Sequence, residues 1–217
     1  MQILSPSLLE KINYLQNNID ANLQLILNGE WKSASENHRL NIRKAMQDKF
    51  SSNFSIQQLT ELNNLNWLPE CNLGYFSISH CKSIGGFSFS IFKHGFDVEE
   101  INRISVSVLK RTCCESEFTN SPRPEFLWVA KEASLKAHSN RHSYKKTKDT
   151  SRDTDLTDTD LAHTDYVISD FITTNWLSVA EPKIFSFQIL QKKNLEFKIN
   201  KGYVFTENHN LFCIYFR

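Results

Sequence analysis

Apolar residues recur near the amino terminus at the three- and four-residue intervals of a helix: Leu8, Leu9, Ile12, Leu15 and Ile19. Leu23, Leu25, Ile26 and Leu27 either extend that helix or begin a strand, and Asn28-Gly29 stops the element. A second helix is predicted from about Ser35, with Leu40, Ala45 and Phe50 toward a core. A third runs through residues 54–68 (Ile56, Leu59, Leu62, Leu65) and ends at Pro69. The period then changes to two. Residues 75–79 and 87–92 read as strands joined by a turn around Ser83-Ile84-Gly85-Gly86. The alternation Phe87, Phe89, Ile91 leads toward His94-Gly95-Phe96-Asp97-Val98-Glu99, which reads as the end of a strand.

Residues 101–111 follow as loop and helix (Ile104, Val106, Leu109). Pro122 and Pro124 stop the chain before a helix that begins at Glu125. On that helix Leu127, Ala130, Ser134 and Ala137 form one small-residue face, with Trp128, Glu132 and Lys136 in the adjacent stripe. Strand patterns return at 167–171, 184–190, 195–199, 203–205 and 211–216, with turns at Asn200-Lys201-Gly202 and 207–210. The order predicts an α+β protein of two halves, 1–93 and 94–217, each with helices leading into short strands. Within the second half lies the stretch 144–165, where Lys145, Lys146, Lys148 and Arg152 give way to aspartates interleaved with threonine. It carries no periodicity and reads as a solvated insertion. A calcium loop is the sharper alternative, but the central glycine and terminal glutamate of that pattern are missing.

Composition narrows the field. A chain of 217 residues, 40% hydrophobic and 23% charged, is long enough for a proper core. A formal net charge of +1 argues against a general nucleic-acid binder. Five cysteines, at 71, 81, 113, 114 and 213, lack the paired spacing of a zinc site. With no apolar run of spanning length, a cytoplasmic, membrane-independent monomer is expected.

The chemistry concentrates in two segments. Side chains two apart on a strand share a face, so Asp97 and Glu99 project together. Residues four apart on a helix share a face, so Glu132 and Lys136 do too. Three such carboxylates suit a hard cation such as Mg²⁺, with Mn²⁺ accepting the same oxygen ligands. Taken alone, Glu132 and Lys136 are an ordinary surface ion pair worth about 0.3–0.5 kcal/mol. Arg39 and Arg43, four apart, read as a solvated helix face, and His80 as a structural strand-end residue.

Gly95-Phe96-Asp97-Val98-Glu99, followed by Trp128-x-x-Lys131-Glu132-Ala133-x-x-Lys136 and preceded by Phe76-Ser77-Ile78-Ser79-His80, resembles the three signature motifs of the 4′-phosphopantetheinyl transferases, in order and near their spacing. The length resembles the larger, pseudo-dimeric (surfactin-synthetase-activating) type. That resemblance implies a pseudo-two-fold pair of α+β units with the active site in the cleft between them, the first half on the coenzyme A side. It implies transfer of the phosphopantetheine arm of coenzyme A to a serine of an apo acyl- or peptidyl-carrier protein, with Mg²⁺. Asp97, Glu99 and Glu132 become the metal ligands, and Glu132, Lys136 and Asp97 the catalytic residues. His80, Ser79, Arg39, Arg43 and Lys131 become coenzyme-binding residues.

The chain departs from the family pattern twice. The usual Gly-Lys-Pro before the Ser-His strand is Leu68-Pro69-Glu70-Cys71 here, and His94 stands where a small aliphatic residue is usual. His94 is expected to reach solvent and to play no part as a ligand. These departures keep a second reading open, a catalytically impaired homologue that binds coenzyme A or a carrier without transfer. A plain α+β interaction protein is a third.

Overall fold

The computed structural model describes residues 5–63, 70–71, 74–138, 167–180, 183–191 and 200–217. Its elements run α1 (Pro6–Asn18), β1 (Gln24–Asn28), α2 (His38–Phe50), α3 (Ile56–Asn63), β2 (Glu70–Cys71), β3 (Gly74–His80), β4 (Gly85–Ser90), β5 (His94–Glu100), α4 (Val106–Thr112), α5 (Glu115–Asn120), α6 (Pro124–His138), β6 (Phe171–Ala180), β7 (Ile184–Gln191), β8 (Lys201–Glu207) and β9 (Asn210–Phe216). The fold is mixed α+β, with two antiparallel sheets in the orders β1-β4-β3-β2 and β5-β9-β8-β7-β6.

The five-stranded sheet is covered on both faces, and strand alternation decides which residue meets which helix. Phe212 and Ile214 of β9, with Tyr203 and Phe205 of β8, join Leu8, Ile12 and Leu15 of α1 in one core. Leu211, Cys213 and Tyr215, one position out of phase, join Phe126, Val129, Ala130, Ala133 and Ala137 of α6 in another. The first sheet turns its aromatic face (Phe76, Phe87, Phe89) onto Ile42, Met46 and Phe50 of α2. The strands of the two sheets fall on either side of residues 91–93, yet α1 packs on the second sheet.

The opposite, serine face of β3 and β4 is where the sheets meet. Edge strand β5 has amides and carbonyls that β9 does not use, and these need partners. Phe96 N donates to Ser77 Oγ at 2.8 Å, Val98 N to Ser79 Oγ at 3.2 Å, and Ser77 Oγ to Phe96 O at 3.4 Å. Hydroxyl side chains thus occupy the place of another strand. Ser77, Ser79, Ser88 and Ser90 are all buried.

Several expectations change. Of the two alternatives open for residues 23–27, the strand is the one formed, as β1 over Gln24–Asn28. β4 ends at Ser90, and His94–Glu100 is a separate strand in the other sheet. The third helix spans Ile56–Asn63, and its expected continuation over 64–68 lies outside the described residues, as do the stretch 144–165 and the strand at 195–199. The expected strand at 167–171 is a short 3₁₀ turn, Ile168–Asp170, after which β6 runs ten residues. Helix α5 went unread because six residues give no period.

His94 is 3% exposed, correcting the expectation of a solvent-facing ring. Its Nδ1 lies 3.0 Å from Phe92 O, which only accepts, so Nδ1 carries the proton and Nε2 accepts from Ser88 Oγ at 2.7 Å.

Candidate active site

Helix α6 lies against β5 because position 95 has no side chain. A Cβ there would stand 1.9 Å from Ala133 O and 2.8 Å from Ala137 N. Glu132 and Lys136, on the helix face toward the cleft, are thereby brought beside Asp97 and Glu99. Together with Ile78, Ser79, His80, Val98 and Trp128 they line a cleft of about 380 Å³. Its residues come from β3, β5 and α6.

Lys136 is the hub. Its ammonium donates to Asp97 Oδ1 at 2.7 Å, Ser79 Oγ at 3.0 Å and Phe96 O at 3.1 Å, which uses all three donors. Ser79 is equally spent: it donates to Asp97 Oδ1 at 2.8 Å and accepts from Val98 N and Lys136. Ser79, expected from the sequence as a coenzyme contact, lines the cleft and braces β3, β5 and α6 through these bonds. Glu99 accepts from Arg103 at 3.2 Å and from Glu100 N, also at 3.2 Å. Burial raises its pKa above the ordinary carboxylate value, and the Arg103 charge only partly opposes this.

Asp97, Glu99 and Glu132 present only oxygen, the donor type of a hard cation. Among the described residues, however, no three His, Cys, Asp or Glu side chains stand close enough to hold one ion. The convergence expected from the sequence is a shared cleft and not a formed ligand set. Asp97 is paired with Lys136 and Glu99 with Arg103.

The basic residues divide in two. His80 sits at the cleft, its ring edge-on to His38 with centroids 4.5 Å apart. Burial lowers the His80 pKa to about 4, and the charges of His38, Arg39 and Lys136 act in the same direction. Nδ1 of His80 and Nε2 of His38 are both shielded from solvent and make no hydrogen bond among the described residues. With the proton on Nδ1, His80 and the exposed Arg39 beside it can donate to an anionic group, whereas His38 donates from Nδ1 to Ser35 O at 2.9 Å and, as a neutral ring, offers Nε2 only as an acceptor. Arg43 differs, being 8% exposed with Nη1 donating to Arg39 O at 3.0 Å. Its pKa is lowered, by burial first and Arg39 second.

Lys131 is fully buried and faces away from the cleft. Its Nζ lies 2.9 Å from Glu117 Oε2 and 2.8 Å from Thr112 O. Glu117 also accepts from Cys114 N, Thr173 N and Thr173 Oγ1. Burial would raise the Glu117 pKa, but these bonds and Lys131 outweigh it and hold the carboxyl below its ordinary value. Lys131, expected among the coenzyme-binding residues, thus sits outside the cleft and knits α6 to α5 and β6.

Sequence reasoning missed His38, which looked like an ordinary helix start, and Arg103, whose only signal was its i,i+4 spacing from Glu99. Neither a protein-family model nor a curated protein matches the chain. No helix among the described residues is long and apolar enough to cross a membrane.

Proposed function

We propose that the chain is a group-transfer enzyme of the 4′-phosphopantetheinyl transferase class, the two sheets being its pseudo-two-fold halves. The observation that carries this reading is one cleft lined by two acids from β5, an acid and a lysine from α6, and a histidine from β3. These belong to three motifs that lie far apart in the chain.

In this reading His80 and Arg39, with Arg43 braced beneath, orient coenzyme A by its phosphates. Glu132 takes the proton from the carrier serine, directly or through water, as its oxygen attacks the phosphorus bearing the pantetheine arm. The Ser Oγ–P bond forms as the P–O bond to adenosine 3′,5′-bisphosphate breaks, and Lys136 donates to that departing phosphate. Asp97, Glu99 and Glu132 would hold Mg²⁺, which when bound supplies charge neutralisation at the diphosphate.

The Lys136–Asp97 pair, with no formed trio of ligands, favours a second reading in which the chain binds coenzyme A or a carrier without transfer. One assay separates them: mass spectrometry of apo carrier proteins incubated with the protein, coenzyme A and Mg²⁺. A gain equal to the phosphopantetheine arm supports transfer. Coenzyme binding with no gain on any acyl or peptidyl carrier supports the binder. Asp97→Asn is expected to lower transfer by about a hundredfold or more while the protein stays folded.

A further inference from the structure

The cleft takes up one face of β5, and the last residue of that strand looks the other way. Glu99 lines the cleft, whereas Glu100 lines a second hollow, of about 580 Å³, on the side of the sheet that α1 covers. Register fixes what stands beside it. Glu100 of β5 pairs with Asn210 of β9, and Asn210 pairs with Glu207 of β8. Each lies two positions from a residue of the α1 core (Val98, Phe212 and Phe205), so all three project to one face. Residues opposite one another on neighbouring strands have Cβ atoms about 5 Å apart, so the row sets two carboxylates on either side of an amide.

The walls of the hollow are tied down. Ser5 Oγ, Ser7 Oγ and Lys11 Nζ, at the start of α1, donate to Glu207 at 2.6, 3.0 and 2.6 Å. Ser83 Oγ of the β3–β4 turn donates to Asn210 Oδ1 at 2.7 Å, and Ile101 N donates to His209 O at 3.0 Å. The shape is therefore held by the chain's own bonds, without help from a ligand. Leu8 and Ile84, which pack into the α1 core, give it an apolar base.

Its charges are unequal. Glu207 is neutralised by Lys11, the lysine side chain being 6% and the glutamate 10% exposed. Glu100 has no such partner: among the described residues its one hydrogen bond runs from its backbone N to Glu99 Oε1. Asn102 and Asn208 add amide oxygens to the lining. Among the described residues no lysine or arginine lines the hollow, and His209 is its one basic side chain. Such a lining calls for N–H donors and a single positive charge. A metal ion is a poorer match, since no three His, Cys, Asp or Glu side chains of the described residues stand together.

We propose that this hollow binds a singly charged organic cation with N–H donors on a short apolar stem, an alkylguanidinium or alkylammonium, with Glu100 as its counter-ion. The stem lies on Leu8 and Ile84, and the head donates to Glu100 and to the amide oxygens of Asn102 and Asn208. A guanidinium meets a carboxylate with two parallel N–H groups and is the better head. The volume is that of a small-molecule site, which favours a free cation over the arginine side chain of a partner protein. The proposal goes beyond the transferase reading and does not depend on it.

The test is isothermal titration of the full chain with n-butylguanidinium. A Kd on the order of 1 mM is expected for so small a ligand. Tetramethylammonium, which has the charge but no N–H group, should bind on the order of tenfold more weakly. Glu100→Gln, which keeps the shape and removes the charge, should weaken n-butylguanidinium by a similar factor, on the order of tenfold. Amide NMR shifts need no variant: those of Asn102, Asn208 and His209 should move, while those of Trp128 and Lys136 in the cleft stay. A folded Glu100→Gln protein with wild-type affinity overturns the proposal. So do shifts centred on the cleft, tetramethylammonium binding as tight as that of n-butylguanidinium, or no binding by the wild type. Tighter binding of Nα-acetyl-argininamide than of n-butylguanidinium would keep the site and overturn the free cation as its occupant.

Discussion

Gly95→Ala tests the packing on which the whole site depends. The added methyl would lie 1.9 Å from Ala133 O, with Ala137 N at 2.8 Å and Ala133 C at 2.9 Å. These are backbone atoms, so no rotamer change relieves the overlap. Restoring an ordinary contact of 3.4 Å requires α6 to withdraw by about 1.5 Å. Cores respond poorly to such displacement, since they are packed like organic crystals. Overpacking typically costs about 1–3 kcal/mol, or about 2–12 °C in melting temperature for a chain of this size. The same withdrawal carries Lys136 and Glu132 away from β5, stretching the 2.7 Å contact between Lys136 and Asp97. A misplacement near 1 Å can cost about a hundredfold in rate. Thermal melts and carrier-modification rates on Gly95→Ala should therefore fall together, while Gly95→Ser should do no better. A Gly95→Ala protein with wild-type melting temperature would show that α6 does not rest on β5 at this point, and the site geometry would fall with it.

Lys131→Met separates a structural lysine from a ligand-binding one. Its ion pair with Glu117 has both side chains 1% exposed, and removal of one partner from a buried pair costs about 3–5 kcal/mol. Urea unfolding should register that loss, while coenzyme affinity measured well below the melting temperature stays within about threefold. A stable variant with weakened coenzyme binding would reverse the assignment. His94 gives a pH prediction. Burial lowers its pKa from 6.5 to about 4, so the unfolded chain binds the proton more readily across that interval. The stability it contributes is complete above pH 6.5 and is lost as pH falls toward 4, on the order of 3 kcal/mol in all. His94→Asn should flatten the stability profile between those values, and an unchanged slope would refute the buried neutral imidazole.

The elements of this fold were legible where period and length were both strong. Helix α1 announced itself through Leu8, Ile12 and Leu15, and β9 through its apolar run. The placement of Asp97 and Glu99 on a strand and of Glu132 and Lys136 on a helix followed from the same periods. What they touch did not. Phe-Ser-Ile-Ser and Phe-Ser-Phe-Ser look like strands with one wet face, because serine is usually exposed. Here those serines are buried as partners for the edge of β5, a tertiary fact that no local pattern encodes. Lys131 and Lys136 sit in one motif at similar spacing from glutamate, yet one is sealed behind the helix and the other braces the cleft. Only the neighbouring elements distinguish them.

The serine seam makes the relation between the two sheets stepwise. Hydroxyls on β3 recur every second residue, as do the amides they satisfy on β5. A slip of one residue would set Phe76 and Ile78 against those amides and strand both without a partner. The distance from His80 to the acids of β5 can thus jump by whole residues but cannot drift. Gradual adjustment of the gap to different ligands is left to the length of the side chains that α6 turns into the cleft, apart from Lys136, which ties the helix to the same comb through Ser79 Oγ and Phe96 O.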